Sequence, residues 1–143
     1  MRISTKCSVA VHCLLFLHEY GEKQKVTSGL LALSAGCNPV VIRGVMSALK
    51  KAGIIRVAAG SGGASLLLPP GEITLYRIYM AVEEGGLQNL IGIHSMPSPL
   101  CPIGRNIRAV LQKPYEAVQS DMRESLQSVT LADFIAEYRK IEI

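Results

Sequence analysis

The sequence predicts a mainly α-helical fold with one small β-hairpin, and two local patterns support this prediction. Gly36-Cys37-Asn38-Pro39 is typical of a tight corner between two helices, with Asn38 as N-cap and Pro39 at the first helical position. Further on, two short strand-like runs flank Gly60-Ser61-Gly62-Gly63, which predicts a hairpin with a glycine-rich tip. Two helices, a tight turn and a two-stranded wing form a winged helix-turn-helix, whose usual role is to read duplex DNA.

Apolar spacing and capping residues define the remaining elements. We expect helices over residues 5–20, 28–35, 39–51, 75–84, 103–128 and 131–139, and strands over residues 54–57 and 64–68. Pro114 should kink or break the long helix, because proline cannot donate a hydrogen bond to the carbonyl four residues earlier. The residues expected to pack the second helix against the third are Leu30, Leu31, Leu33, Ile42, Val45, Met46 and Leu49.

Charge and periodicity predict two functional regions. Residues 1–70 carry a net charge of +6 and residues 71–143 a net charge of −2, which is typical of a polyanion-binding module joined to an association module. We therefore expect a DNA-binding winged helix-turn-helix domain over residues 1–84 and a loop with a helical dimerisation region over residues 85–143. In the long helix, apolar residues recur at intervals of three and four and predict a two-fold dimer seam: Ile107, Val110, Leu111, Tyr115, Val118 and Met122.

Composition and motifs exclude several other classes of protein. The sequence shows no signal peptide and no apolar run near the roughly 20 residues that span a bilayer, so we expect a cytoplasmic protein with its four cysteines reduced. Trp is absent and aromatic residues make up 5%, which argues against single-strand binding by base stacking. No nucleophile-base pair, paired carboxylates or metal-ligand spacing occurs. We expect neither enzymatic activity nor a metal or cofactor.

Longer motifs connect the chain to a known family. The chain resembles the Rrf-two family of bacterial winged-helix transcription regulators over nearly its whole length, through residues 1–6, 49–55, 60–63 and 72–75. Residues 38–43, 63–66 and 101–104 resemble the YwnA-like branch of that family. The resemblance implies an arginine and a tyrosine in the wing, but Ala59 and Ser65 occupy those positions, and Ala64 replaces a glycine. Cluster-binding members carry three cysteines before the long helix, whereas this chain has only Cys101 there, which predicts no iron-sulfur cluster.

The resemblance assigns DNA contacts to the third helix and the wing, and the N-terminus of the second helix can present backbone N–H groups to a phosphate. On the third helix, an arginine can contact guanine, an asparagine can contact adenine, and a valine can contact a thymine methyl group. The alternatives are a solvated helix face, capping rather than base contact for Asn38, and burial for Val41. Lys51 and Arg56 can add sequence-independent attraction. The candidate DNA-binding residues are Lys6, Thr27, Ser28, Asn38, Pro39, Val40, Val41, Arg43, Gly44, Ser47, Lys50, Ser61, Gly62 and Gly63.

Two cysteines are candidates for redox sensing. Cys37 precedes the third helix and Cys101 precedes the long helix, and a helix N-terminus favours the thiolate form of a cysteine. The alternative for both is a structural role. These features predict a homodimeric DNA-binding regulator, a repressor of an inverted-repeat operator that responds to thiol oxidation or to a small-molecule effector. The remaining alternatives are a constitutive DNA binder regulated by a protein partner and a protein-interaction module that no longer binds DNA.

Overall fold

The computed structural model describes residues 4–59 and 63–142, and within these ranges the chain is mainly helical with one two-stranded antiparallel sheet. Two short 3-10 turns, Pro70–Glu72 and Gly86–Asn89, lie between the longer elements. This confirms the predicted fold class. The elements are α1 (Lys6–Tyr20), α2 (Ser28–Ala35), α3 (Pro39–Lys51), β1 (Ile55–Val57), β2 (Ala64–Leu66), α4 (Leu75–Val82), α5 (Pro102–Gln127) and α6 (Leu131–Ile141).

The corner between α2 and α3 has helix-turn-helix geometry. The two helices meet at an angle of 114°, within the range typical of this motif. Gly36 turns the chain with a φ of 65°, a left-handed conformation that glycine adopts without steric cost. Asn38 then caps α3, because its Oδ1 accepts a hydrogen bond of 2.8 Å from the backbone N–H of Val40. The predicted N-cap is therefore present.

The wing follows α3 directly. Ile55 pairs with Leu66, Arg56 with Ser65 and Val57 with Ala64. The N–H of Ala58 donates a hydrogen bond of 2.9 Å to the carbonyl of Gly63. The antiparallel register confirms a hairpin on both sides of residues 60–62, which lie outside the described residues.

The core is built from every helix except α5. Leu33 is 81% exposed, so the prediction that it packs against α3 is wrong; Leu31 and the smaller Ala32 fill that space instead. The long, apolar Leu33 therefore lies on the solvent side of α2. The largest fully buried side chains are Cys13, Leu14, Leu31, Ile42, Leu49, Ile54, Ile55, Ile73, Ile78 and Leu131.

α6 packs back onto the winged helix-turn-helix. Leu131 and Ile135 join the common core, and the N–H of Leu131 donates to the carbonyl of Ile73 over 2.8 Å. Thr130 and Asp133 form a capping box at the start of α6, which satisfies two backbone donors that a helix start otherwise leaves unpaired. The C-terminal region thus contributes to the same core, and its division from the first domain at residue 84 stays a prediction.

α5 differs from the other helices in burial. It continues through Pro114, so the predicted break does not occur, and none of its side chains is fully buried. Ile103 is 74%, Val110 62% and Val118 42% exposed. Among the described residues, no single helix is long and apolar enough to cross a membrane, although the bent pair α2 and α3 would pass that test by length and composition.

Candidate nucleic-acid interface

One side of α3 is uncovered and the other lies in the core. Ile42, Val45, Met46 and Leu49 are buried, because they recur on one side of a helix with 3.6 residues per turn. The exposed fraction of Val41 is 43%, so this residue is available for contact rather than buried. Eight of the predicted residues are exposed on α3 and its N-cap: Asn38, Pro39, Val40, Val41, Arg43, Gly44, Ser47 and Lys50.

Arg43 is the base-reading candidate on this face. It is exposed, and none of the ion pairs among the described residues involves it, so its guanidinium is available for an external acceptor. Asn38 uses its Oδ1 to cap α3, which leaves its amide N–H groups for a ligand. Arg43 can therefore offer two parallel hydrogen bonds to a guanine edge, whereas Asn38 can act only as a donor while it caps the helix.

The N-terminal end of α2 adds a possible phosphate contact. Thr27 is exposed and its Oγ1 accepts a hydrogen bond of 3.2 Å from the N–H of Leu30, so it acts as the N-cap. Ser28 is half-buried in the first turn, and Lys6 is exposed at the start of α1. Backbone N–H groups at a helix N-terminus attract anions, which suits a phosphate contact at Thr27 and Ser28.

Of the three predicted wing contacts, only Gly63 lies among the described residues. Ser61 and Gly62 lie outside the described residues, and Gly63 is half-buried with a φ of 76°. A Cβ at Gly63 would lie 3.1 Å from Cγ of Lys25 and 3.2 Å from the backbone nitrogen of Val26. The glycine at this position is thus explained by close packing against the loop before α2. The contact also places Lys25 beside the wing, as a basic residue that the sequence analysis missed.

The cysteines differ in their surroundings. Cys101 is exposed at the N-terminus of α5, where the backbone N–H groups of Gly104 and Ile103 lower the pKa of its thiol. Burial, with a smaller effect of nearby Cys37, raises the pKa of the Cys13 thiol to about 11. Cys37 is half-buried, and its Sγ donates to the carbonyl of Ala35 over 3.6 Å. Of the two predicted redox residues, Cys101 has the surroundings of a reactive thiol.

The predicted dimer residues form one apolar stripe on α5. Ile107, Leu111, Tyr115 and Met122 are half-buried, whereas Val110 and Val118 are exposed. α4 and the Gly86–Asn89 turn contact α5, yet none of the side chains of α5 is fully buried. Val110 and Val118, the uncovered edge of the stripe, are thus available for an external partner.

A helix-turn-helix with an exposed second helix, a two-stranded wing and an uncovered long helix are typical of winged-helix regulators of transcription. The Rrf2 family model, described as an iron-dependent transcriptional regulator, matches residues 3–137. This chain belongs to the Rrf2 family. It is 37% identical over 131 residues to the HTH-type transcriptional regulator YwnA of Bacillus subtilis (strain 168), covering 92% of this chain and 95% of YwnA. The family resemblance and the prediction of a DNA-binding regulator rather than an enzyme are confirmed.

Solved structures agree with this assignment. A transcriptional regulator from Lactobacillus plantarum has a TM-score of 0.79 and 29% identity, covering 96% of this chain and 91% of the regulator. T. potens IscR, at 22% identity, shares the fold with a TM-score of 0.71, over 100% of this chain and 92% of IscR.

The family description mentions iron, which raises the question of whether this chain has the side chains to hold iron. Within residues 4–59 and 63–142, no three side chains of His, Cys, Asp or Glu come together in a way that could hold a metal ion. Cys101 is the single cysteine of the loop before α5, whereas a cluster is held by three or four thiolates. The residues that the structure describes in one chain do not fit an iron-sulfur cluster.

Proposed function

We propose that the protein is a homodimeric repressor that binds an inverted-repeat operator through α3. The observation that supports this most directly is the exposed side of α3, where Arg43 forms no ion pair with any residue that the structure describes, while the opposite side packs in the core. The basic balance of residues 1–70 supplies sequence-independent attraction to phosphates. We therefore expect the protein to act in the cytoplasm, where bacterial DNA is located. This role requires no resident cofactor.

The uncovered edge of α5 supports the dimer. A two-fold pair of α5 helices buries Val110 and Val118 and sets two copies of α3 roughly 34 Å apart, one turn of duplex DNA. An operator with two half-sites at that spacing then matches the symmetry of the protein. Arg43 is exposed and takes part in none of the ion pairs among the described residues, which favours DNA binding over a protein-interaction module.

DNA binding can be tested by its salt dependence. An operator is first selected from a random duplex library, and its affinity is then measured by fluorescence anisotropy between about 50 and 200 mM salt. Each phosphate that a basic side chain neutralises releases counterions, so log affinity should fall linearly with log salt with a slope of about −0.9 per contact. A slope near zero, or failure to enrich any sequence, would exclude this function.

We also propose that Cys101 makes the regulator responsive to thiol oxidation. Its lowered thiol pKa and its exposure favour attack of the thiolate on hydrogen peroxide, which gives a sulfenic acid and hydroxide. The added oxygen lies at the first turn of α5, the helix that sets the distance between the two α3 copies. Oxidation should therefore lower operator affinity.

Two serine variants test this response. The parent and Cys37→Ser should lose operator affinity after mild peroxide treatment, and dithiothreitol should restore it. Cys101→Ser should keep its affinity under the same treatment. If Cys101→Ser loses binding as fully as the parent, Cys101 is not the sensor. If Cys37→Ser alone is protected, Cys37 takes that role.

A further inference from the structure

The loop between α1 and α2 packs against the wing. A Cβ added at Gly63 would lie 3.1 Å from Cγ of Lys25, and 3.2 and 3.3 Å from the backbone nitrogen and oxygen of Val26. These separations are shorter than an ordinary van der Waals contact between heavy atoms, so a side chain at residue 63 would crowd the loop. The stem of the Lys25 side chain therefore lies directly against Gly63 of the wing.

Both ends of this loop are fixed. The N–H of Gln24 donates a hydrogen bond of 3.0 Å to the carbonyl of Tyr20 at the end of α1. On the other side of Lys25, Val26 is buried with 2% of its surface exposed, and Thr27 caps α2. Binding through Lys25 therefore does not first have to order the loop, a step that would otherwise reduce affinity.

Lys25 carries a positive charge that none of the ion pairs among the described residues uses, and its side chain is exposed. Lys23, two residues earlier, differs because its Nζ lies 6.0 Å from the centre of the Tyr20 ring on α1, at the outer limit of a cation–π contact. The sequence from residue 57 to residue 71 contains no charged side chain. Lys25 thus brings a positive charge to a part of the wing that has none of its own.

We propose that Lys25 is a phosphate contact that holds the wing on duplex DNA, which makes the loop between α1 and α2 part of the DNA-binding surface. The ammonium group of a lysine is a compact charge that attracts phosphate oxygens without reading bases. Lys25 precedes Thr27 by two residues and lies against Gly63, so it connects two regions already predicted to contact DNA. This inference rests on the proposed operator binding by α3 and extends it to the wing.

Lys25→Met and Lys23→Met make the same charge change in the same loop. Methionine retains Cβ and Cγ, so the packing against Gly63 survives the substitution. Operator affinity of the full-length protein is measured by fluorescence anisotropy at several salt concentrations. Lys25→Met should reduce the slope of log affinity against log salt by about 0.9 per bound chain, or about 1.8 per dimer, because fewer counterions are released. Lys23→Met should change the slope much less.

The loss of affinity should not depend on the DNA sequence. Lys25→Met should weaken binding to the operator and to an unrelated duplex by the same factor, about fivefold per lost contact at about 150 mM salt. A loss confined to the operator would make Lys25 a base contact and overturn its assignment to a phosphate.

Neutral methylphosphonates locate the contact on the DNA. Each operator phosphate is replaced in turn, and the affinities of the parent and of Lys25→Met are compared. At the phosphate that Lys25 contacts, neutralisation should weaken binding of the parent but not of Lys25→Met, so the two losses are non-additive. One such position is expected in each half-site. This readout would not respond to a merely structural role of Lys25.

The same titrations separate a failure of this assignment from a failure of the proposed function. If the parent shows a steep salt slope, operator binding stands. The role of Lys25 is then overturned by an unchanged slope in Lys25→Met, by equal slope reductions in Lys25→Met and Lys23→Met, or by additive losses at every methylphosphonate. A parent slope near zero would overturn the proposed function, and the phosphate contact of Lys25 with it.

Discussion

α3 and α5 are both amphipathic helices, but only α3 has its apolar stripe inside the chain. Ile42 and Leu49 of α3 are fully buried, whereas α5, twice as long at 26 residues against 13, has no fully buried side chain. Apolar periodicity reports that a helix needs a partner surface. It does not report whether that surface belongs to the same chain. Substitutions in each helix are therefore needed to show which surface covers its apolar side.

The largest effect is expected from two carboxylates on the uncovered edge of α5. Val110→Glu combined with Val118→Glu should abolish the dimer at micromolar concentration, because burying unpaired charge in an apolar seam costs on the order of several kcal/mol. Sedimentation velocity measures the assembly state. Ala109→Glu with Ser120→Glu adds the same charge to the far side of α5 and should leave the dimer intact. A dimer that survives the first pair would place the seam elsewhere.

The core side of α3 should show the next largest effect. Ile42→Ala should lower the free energy of unfolding by about 2–5 kcal/mol, since it removes a fully buried side chain and leaves a cavity. Val40→Ala, on the exposed side of the same helix with 64% exposure, should change it by less than about 0.5 kcal/mol. Urea unfolding measures both. Similar losses for the two variants would mean that α3 is covered on both sides.

These contrasts also show which features the sequence could predict. Local chemistry was sufficient for the α2-α3 corner, where Asn38 caps α3 and Gly36 turns the chain. It was sufficient for the hairpin as well, since short apolar runs around a glycine-rich tip predicted strands over residues 54–57 and 64–68, and β1 and β2 lie within these ranges. Features that depend on a few neighbouring residues could thus be predicted from the sequence.

Contacts between distant parts of the chain could not be predicted from the spacing of apolar residues alone. Leu33 has the residue type of a core position, yet α2 is short and Ala32 takes its place beside α3. Lys25 lies beside the wing only because Gly63 approaches the loop before α2. Arg139 of α6 lies 3.7 Å from Glu19 of α1 only because α6 returns to α1 from the far end of the sequence, which no local pattern encodes.

The exposed face of α3 should show a smaller effect, and one specific to DNA. Arg43→Ala should cost about 1–3 kcal/mol in operator binding and less on non-specific DNA, if the guanidinium reads a base. Arg108→Ala makes the same change on exposed α5 and should leave operator affinity nearly unchanged. Anisotropy titrations with both DNAs measure this. Equal losses on operator and non-specific DNA would make Arg43 a phosphate contact.

The smallest effect concerns the N-caps of the two helices. Asn38 caps α3 with a side-chain hydrogen bond, whereas Cys101 at the start of α5 forms no such side-chain cap. Asn38→Ala should therefore lower the free energy of unfolding by about 0.5–2 kcal/mol at every pH at which the protein is folded.

Cys101→Ala should behave differently because the Cys101 thiol titrates. Folding lowers its pKa, so the thiolate stabilises the folded state above the ordinary thiol pKa, and that contribution disappears as the pH falls through the lowered value. The difference in unfolding free energy between the parent and Cys101→Ala should be smallest in acidic solution and grow as the pH rises toward the ordinary thiol pKa. Urea unfolding of both proteins across this range, under reducing conditions, measures the separation. A constant gap would mean that the thiolate does not interact with the N-terminus of α5, and the case for Cys101 as the reactive thiol would lose its electrostatic basis.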